Sequence, residues 1–172
     1  MNQAEGFLMK HNHTSKDDFR TPKYLIEWIN KKYGPIQFDA ACTPGINNLF
    51  SPLTLEEEWP SNSIIYSNPP WDSKSIIKWF QKGLKHTKNG GVHIMLIPNK
   101  LCQKSLVENI NPYIETLVFL GGRINFEGPY VTKGGSSRTG CLLLINGLDE
   151  SLSGLFSINL SEIKSSRPST FV

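Results

Sequence analysis

The apolar positions of this chain change period several times, and each change marks an element. Between Thr21 and Gly34, Tyr24, Leu25, Trp28 and Ile29 recur at helical spacing. That predicts an amphipathic helix with Thr21 as N-cap, Pro22 at its first position and Gly34 as its stop. Short β-rich stretches follow at residues 36–40 and 64–66. Residues 73–88 return to the helical period, with Ile76, Ile77, Phe80 and Leu84 on one face, and stop at Asn89-Gly90-Gly91. Beyond them lie a strand over 92–97, a helical stretch from about 101 to 110, and strands over 115–120 and 140–145. Strands alternating with helices predict an α/β fold with a mainly parallel sheet. Trp28, Trp79 and Phe80 sit at helical spacings and are expected in the core.

The pattern fails in three places. Residues 1–16 are polar and unpatterned and read as a flexible arm, with His11 and His13 solvated rather than bound to metal. Residues 161–172 read as a loose tail, which leaves a single domain over 17–160. The stretch 121–139, "GGRINFEGPYVTKGGSSRT", is long for a connection in a small domain, and it holds five glycines, two arginines and one lysine. Loops of that length and composition are usually functional or disordered.

Composition narrows the class without naming a function. A chain of 172 residues, 38% hydrophobic, supports one core. A formal net charge of +3 permits contact with a polyanion without demanding it. Cys42, Cys102 and Cys141 are odd in number, far apart and without zinc-site spacing, so reduced thiols in a cytoplasmic protein are expected and no metal site. No stretch approaches the roughly 18 apolar residues of a membrane span. His86 and His93 have no partner in sequence and receive no role.

The chemistry gathers at strand ends, where open α/β sheets bind ligands. Asp39 is expected to end the first strand, and Asn68 follows the strand centred on Ile65. After it comes "NPPW", residues 68–71. Two prolines cannot continue a sheet or a helix, so the segment is extended and stiff. An amide oxygen and the carbonyls of extended prolines suit the two hydrogens of an exocyclic amino group, and Trp71 offers a stacking face for a planar base. The plainer alternative is a proline turn ahead of the helix that begins near Ser73.

"NPPW" resembles the Asn/Asp-Pro-Pro-aromatic motif of methyltransferases that alkylate amino nitrogens. "DDFRTP", "FDAACTPGINN", "EEEW", "NPPW", "LIPNK", "GGRINF" and "SSRTGCLLLI" follow in order over residues 17–145. In that order they resemble the phage-type Dam family of DNA N6-adenine methyltransferases. The resemblance implies a compact Rossmann-like, S-adenosylmethionine-dependent methyltransferase fold acting on adenine in DNA. It implies that Asn68, Pro69, Pro70 and Trp71 form the catalytic motif. Thr21, Pro22, Asp39, Ala40, Cys42 and Asn47 then lie toward the cofactor, Asp39 holding its methionine ammonium or that group's hydrogen-bond network. Arg123, Phe126, Lys133, Ser137 and Arg138 become the candidates for DNA contact, with Tyr130 and Ser136 beside them.

Two departures follow. The glycine-rich turn of the broad methyltransferase fold is missing, since only Gly45 follows Asp39 closely. Twenty-eight residues separate Asp39 from Asn68, so the second and third strands are expected to be abbreviated or lost. Glu56, Glu57 or Glu58 is a candidate for the cofactor ribose, against a solvated acidic face. The alternatives are N4-cytosine or protein-glutamine methylation, or a non-catalytic DNA-binding decoy with a degraded fold.

Overall fold

The computed structural model describes residues 20–42, 50–128 and 137–165. Along them the chain runs α1 (Lys23–Tyr33), β1 (Phe38–Ala40), β2 (Ser51–Leu53), β3 (Ile64–Ser67) and α2 (Ser73–Thr87). It continues through β4 (Val92–Pro98), α3 (Lys104–Asn109), β5 (Thr116–Gly121), β6 (Cys141–Asn146), β7 (Gly154–Asn159) and α4 (Leu160–Ser165). The strands form one sheet in the order β2-β1-β3-β4-β6-β5-β7. β6 is antiparallel to both β4 and β5, and the remaining pairs are parallel. β4 and β6 are buried almost throughout, as central strands covered on both faces must be, which is why they read as continuous apolar runs.

Helices cover both faces. α1 and α4 pack on one, around Leu25, Ile29, Tyr66, Ile94, Leu143 and Leu160. On the other lie α2 and α3, around Ile65, Ile76, Phe80, Met95, Leu106 and Leu142. A mixed sheet between two helical layers is consistent with the Rossmann-like methyltransferase fold expected. The abbreviation is visible too: β2 has three residues, and among the described residues no strand lies beyond it.

Other features depart from the sequence pattern. Residues 160–165, placed mostly in a loose tail, form α4 and bury Leu160 and Ile163; two apolar residues in six are too few to show a period. β7 is an edge strand exposed at every position but Ile158, so its residues do not alternate visibly. β2 carries Pro52, tolerated only because the strand is an edge. The predicted stretch 101–110 is helical only from Lys104, after a turn. Among the described residues, no helix is long and apolar enough to cross a membrane.

Candidate active site

β1 and β3 lie side by side and parallel, with Ala40 opposite Ser67, and β4 follows β3. Their carboxyl ends open toward one crevice. Asn68 leaves the sheet directly after β3. Pro69 is buried and Pro70 exposed, and the extended segment ends at Asp72, whose Oδ1 accepts the Ser75 N–H at 2.9 Å and starts α2. Hydrogen bonding from the Ser75 side chain first, and from its backbone N–H second, holds the Asp72 carboxyl below its usual range.

The four-residue motif is tied within itself and to β4. The indole N–H of Trp71 donates to Oδ1 of Asn68 at 3.1 Å. That bond fixes which way the amide faces. The ammonium of Lys100, just past the end of β4, donates to the Trp71 carbonyl. At the other end, Ser67 Oγ lies 2.8 Å from Nε2 of His93 on β4. Burial pushes His93 down to about 3, so its ring is neutral at pH 7. α2 reaches that ring through Gly83, where a Cβ would fall 1.9 Å from Nδ1. One strand therefore anchors the motif at both ends.

Residues 20–22 border the crevice. Arg20 and Glu127 exchange backbone hydrogen bonds of 2.7 and 2.9 Å, which sets residues 20–22 beside Phe126. Phe126 is buried, and its ring stands edge-on to Trp71, 5.4 Å between centroids at 70°. Thr21 does not cap α1 as expected. Pro22 takes the cap position with extended φ −65° and ψ 144°, and the Thr21 hydroxyl pairs instead with the phenol of buried Tyr66 at 2.6 Å. A residue before proline is held extended, which turns Thr21 away from the helix start.

Asp39 lies mid-strand in β1 rather than at its end, opposite Tyr66 and so on the same face of the sheet. Burial pushes its carboxyl up to about 7. The ion pairs among the described residues, Lys23–Glu27 and Lys104–Glu108, do not involve it. The chain then turns at Ala41 with φ 66°, a left-handed conformation that costs a non-glycine residue about 1–2 kcal/mol. This strained alanine stands where a glycine turn was missed.

Neighbours divide between crevice and scaffold. The Cys42 thiol donates to the Asp39 carbonyl at 3.1 Å and is pushed up to about 11, by burial first and the Asp39 charge second; it is no nucleophile. Ala40 is fully buried in the α2-side core, so its methyl packs there and only its backbone can face the crevice. Ser137 is buried: its N–H donates to the Ile124 carbonyl at 2.7 Å and its Oγ accepts the Ile124 N–H at 3.2 Å. It pins the loop's base. Arg123 and Arg138 are exposed. Glu57 accepts the Thr54 N–H at 2.6 Å, and Glu56 and Glu58 are exposed. Asn47, Tyr130, Lys133 and Ser136 lie outside the described residues.

Tyr66, His93 and Lys100 escaped the sequence reading as site residues. Lys100 ends the "LIPNK" block at a strand terminus, a signal that was available. His93 and Tyr66 look like ordinary core positions until the strands are registered. Among the described residues, no three His, Cys, Asp or Glu side chains gather as metal ligands.

No curated protein matches the chain significantly. A strand-end amide tied to an aromatic ring, with a half-buried acid on the neighbouring strand, nonetheless belongs to a broader pattern of sequence that covers most of the molecule: the model of DNA N-6-adenine-methyltransferase (Dam) matches residues 9–162, and the chain belongs to that family.

Proposed function

We propose that the protein transfers a methyl group from S-adenosylmethionine to N6 of adenine in DNA, with Asn68 and the Pro69 carbonyl holding the amine. The observation that carries this reading is the bond from Trp71 to Asn68. It fixes the orientation of the amide beside an aromatic corner made by Trp71 and Phe126. Two acceptors on the amine's hydrogens leave its nitrogen lone pair pointing outward, and the corner receives a base flipped out of the duplex. The amine attacks before it loses its proton, so no general base is required.

S-adenosylmethionine, when bound, supplies a methyl group on a positively charged sulfur. The residues present suit it. Asp39 is a half-buried carboxylate without a described cation, and an ammonium beside it would relieve the burial that raises its pKa. Thr21 and Tyr66 border the same face. Specificity falls to Arg123, Arg138 and Lys133 in the 121–139 loop, whether it is tight or relaxed.

Incubation of the purified protein with DNA and S-adenosylmethionine, digestion to nucleosides and mass measurement test the reading. N6-methyldeoxyadenosine is expected. N4-methyldeoxycytidine, or cofactor binding without any methylated base, overturns it.

A further inference from the structure

α2 differs from the other helices in its charge. From Ser73 to its C-cap it carries Lys74, Lys78, Lys82, Lys85 and Lys88 and no acid. These lysines outnumber the chain's formal net charge of +3, so the rest of the molecule is net negative. In α1 and α3 an exposed lysine is answered by a glutamate four residues on, Lys23 by Glu27 and Lys104 by Glu108. α2 has no such partner within the helix.

Helical geometry puts Lys74, Lys78, Gln81, Lys85 and Lys88 on one line opposite the buried Ile76, Phe80 and Gly83, and all five are exposed. Lys82 stands aside: its ammonium donates to the Glu57 carbonyl at 2.6 Å and lies 5.8 Å from the Trp59 ring centre. The line is about 21 Å long, the length of roughly six base pairs of duplex. It begins three residues past Trp71, so it is continuous with the proposed base site. Its far half borders an open groove of about 570 Å³, whose other side carries Glu56.

We propose that this face of α2 is a phosphate track for the duplex flanking the target adenine, a contact separate from the 121–139 loop. The inference rests on the DNA reading above. Its lysines read no bases; they add affinity and hold orientation. Glu56, the one carboxylate among the described residues that line the groove, opposes the phosphates and keeps the contact weak at that end.

The test titrates the full chain with a duplex of about 30 base pairs between about 50 and 200 mM NaCl. Replacing Lys78→Gln, Lys85→Gln and Lys88→Gln together is expected to lower the slope of log K against log salt by about three and to raise KM for DNA. Glu56→Gln is expected to tighten binding. Lys31→Gln with Lys32→Gln, an exposed pair in the last turn of α1, is the charge control and is expected to leave the slope unchanged. An unchanged slope in the triple variant overturns the track, as does an equal loss per charge in the control. If the wild type methylates DNA while the triple variant keeps its slope, the track alone falls. A wild type that neither binds nor methylates DNA removes both the track and the reading beneath it.

Discussion

The two halves of the crevice are built in opposite ways. At the Asn68 end the polar groups pair with one another: indole to amide, lysine to carbonyl, serine to a buried neutral histidine. At the Asp39 end a three-residue strand carries a half-buried carboxylate with no described counter-charge, followed by an alanine in a left-handed turn. The first half is preorganised without a ligand. The second carries a cost that a cationic ligand would relieve. Their responses to pH oppose each other as well. His93, lowered to about 3, contributes stability above its ordinary 6.5 that is lost as pH falls toward 3. Asp39, raised to about 7, contributes stability below its ordinary 3.8 that is lost as pH rises through 7.

The sharpest way to break the contrast is Asn68→Ala, which removes the proposed amine acceptor and leaves the Trp71 indole without its partner. Methyl transfer is expected to fall about 10²–10³-fold, on the scale of losing one preorganised transition-state contact, with the circular dichroism spectrum unchanged. Full activity in a folded variant would sink the clamp.

Gly83→Ala attacks the support behind the clamp. A Cβ there meets the His93 ring at 1.9 Å, so a loss of about 1–3 kcal/mol is expected by urea denaturation, despite alanine's better helix propensity. Gly140→Ala has nothing within 4 Å of its new methyl and is expected to cost far less. Equal midpoints for the two variants would show that the His93 packing carries no strain.

Asp39 is read by pH. S-adenosylmethionine affinity is expected to weaken about tenfold per pH unit below 7 and to level off above it, because the ammonium needs the ionised carboxylate. Asp39→Asn is expected to bind weakly without that slope. Without ligand, the same variant is expected to unfold at higher denaturant than wild type at pH 8, the gap closing toward pH 4. A gap that widens on acidification would reverse the assignment.

Tyr66→Phe makes the smallest change, deleting the phenol that pairs with Thr21. A loss of about 0.5–1.5 kcal/mol is expected for one hydrogen bond, with cofactor affinity changed more than DNA affinity.

Much of this was legible beforehand. Helical and strand periods located α1, α2 and the central strands, because a covered sheet and an amphipathic helix both need continuous apolar faces. Seven ordered blocks identified the family and pointed to Asn68 and Trp71. Residues with too few apolar neighbours to form a period stayed hidden: Pro52 disguised β2, exposure disguised β7, and α4 was too short.

What the sequence alone determined is the alternation of elements and the stiffness of Asn68-Pro69-Pro70-Trp71, since proline's missing N–H and locked φ act wherever the chain folds. Tertiary structure decided the partners. Lys100 reaches Trp71, His93 reaches Ser67, and Thr21 leaves its cap for Tyr66, because parallel strand pairing and the packing of α1 on the sheet bring together residues 26 to 45 positions apart. It also turned Asp39 from a strand-end acid into a half-buried, mid-strand one, because desolvation depends on what packs around a group and not on its neighbours in the chain.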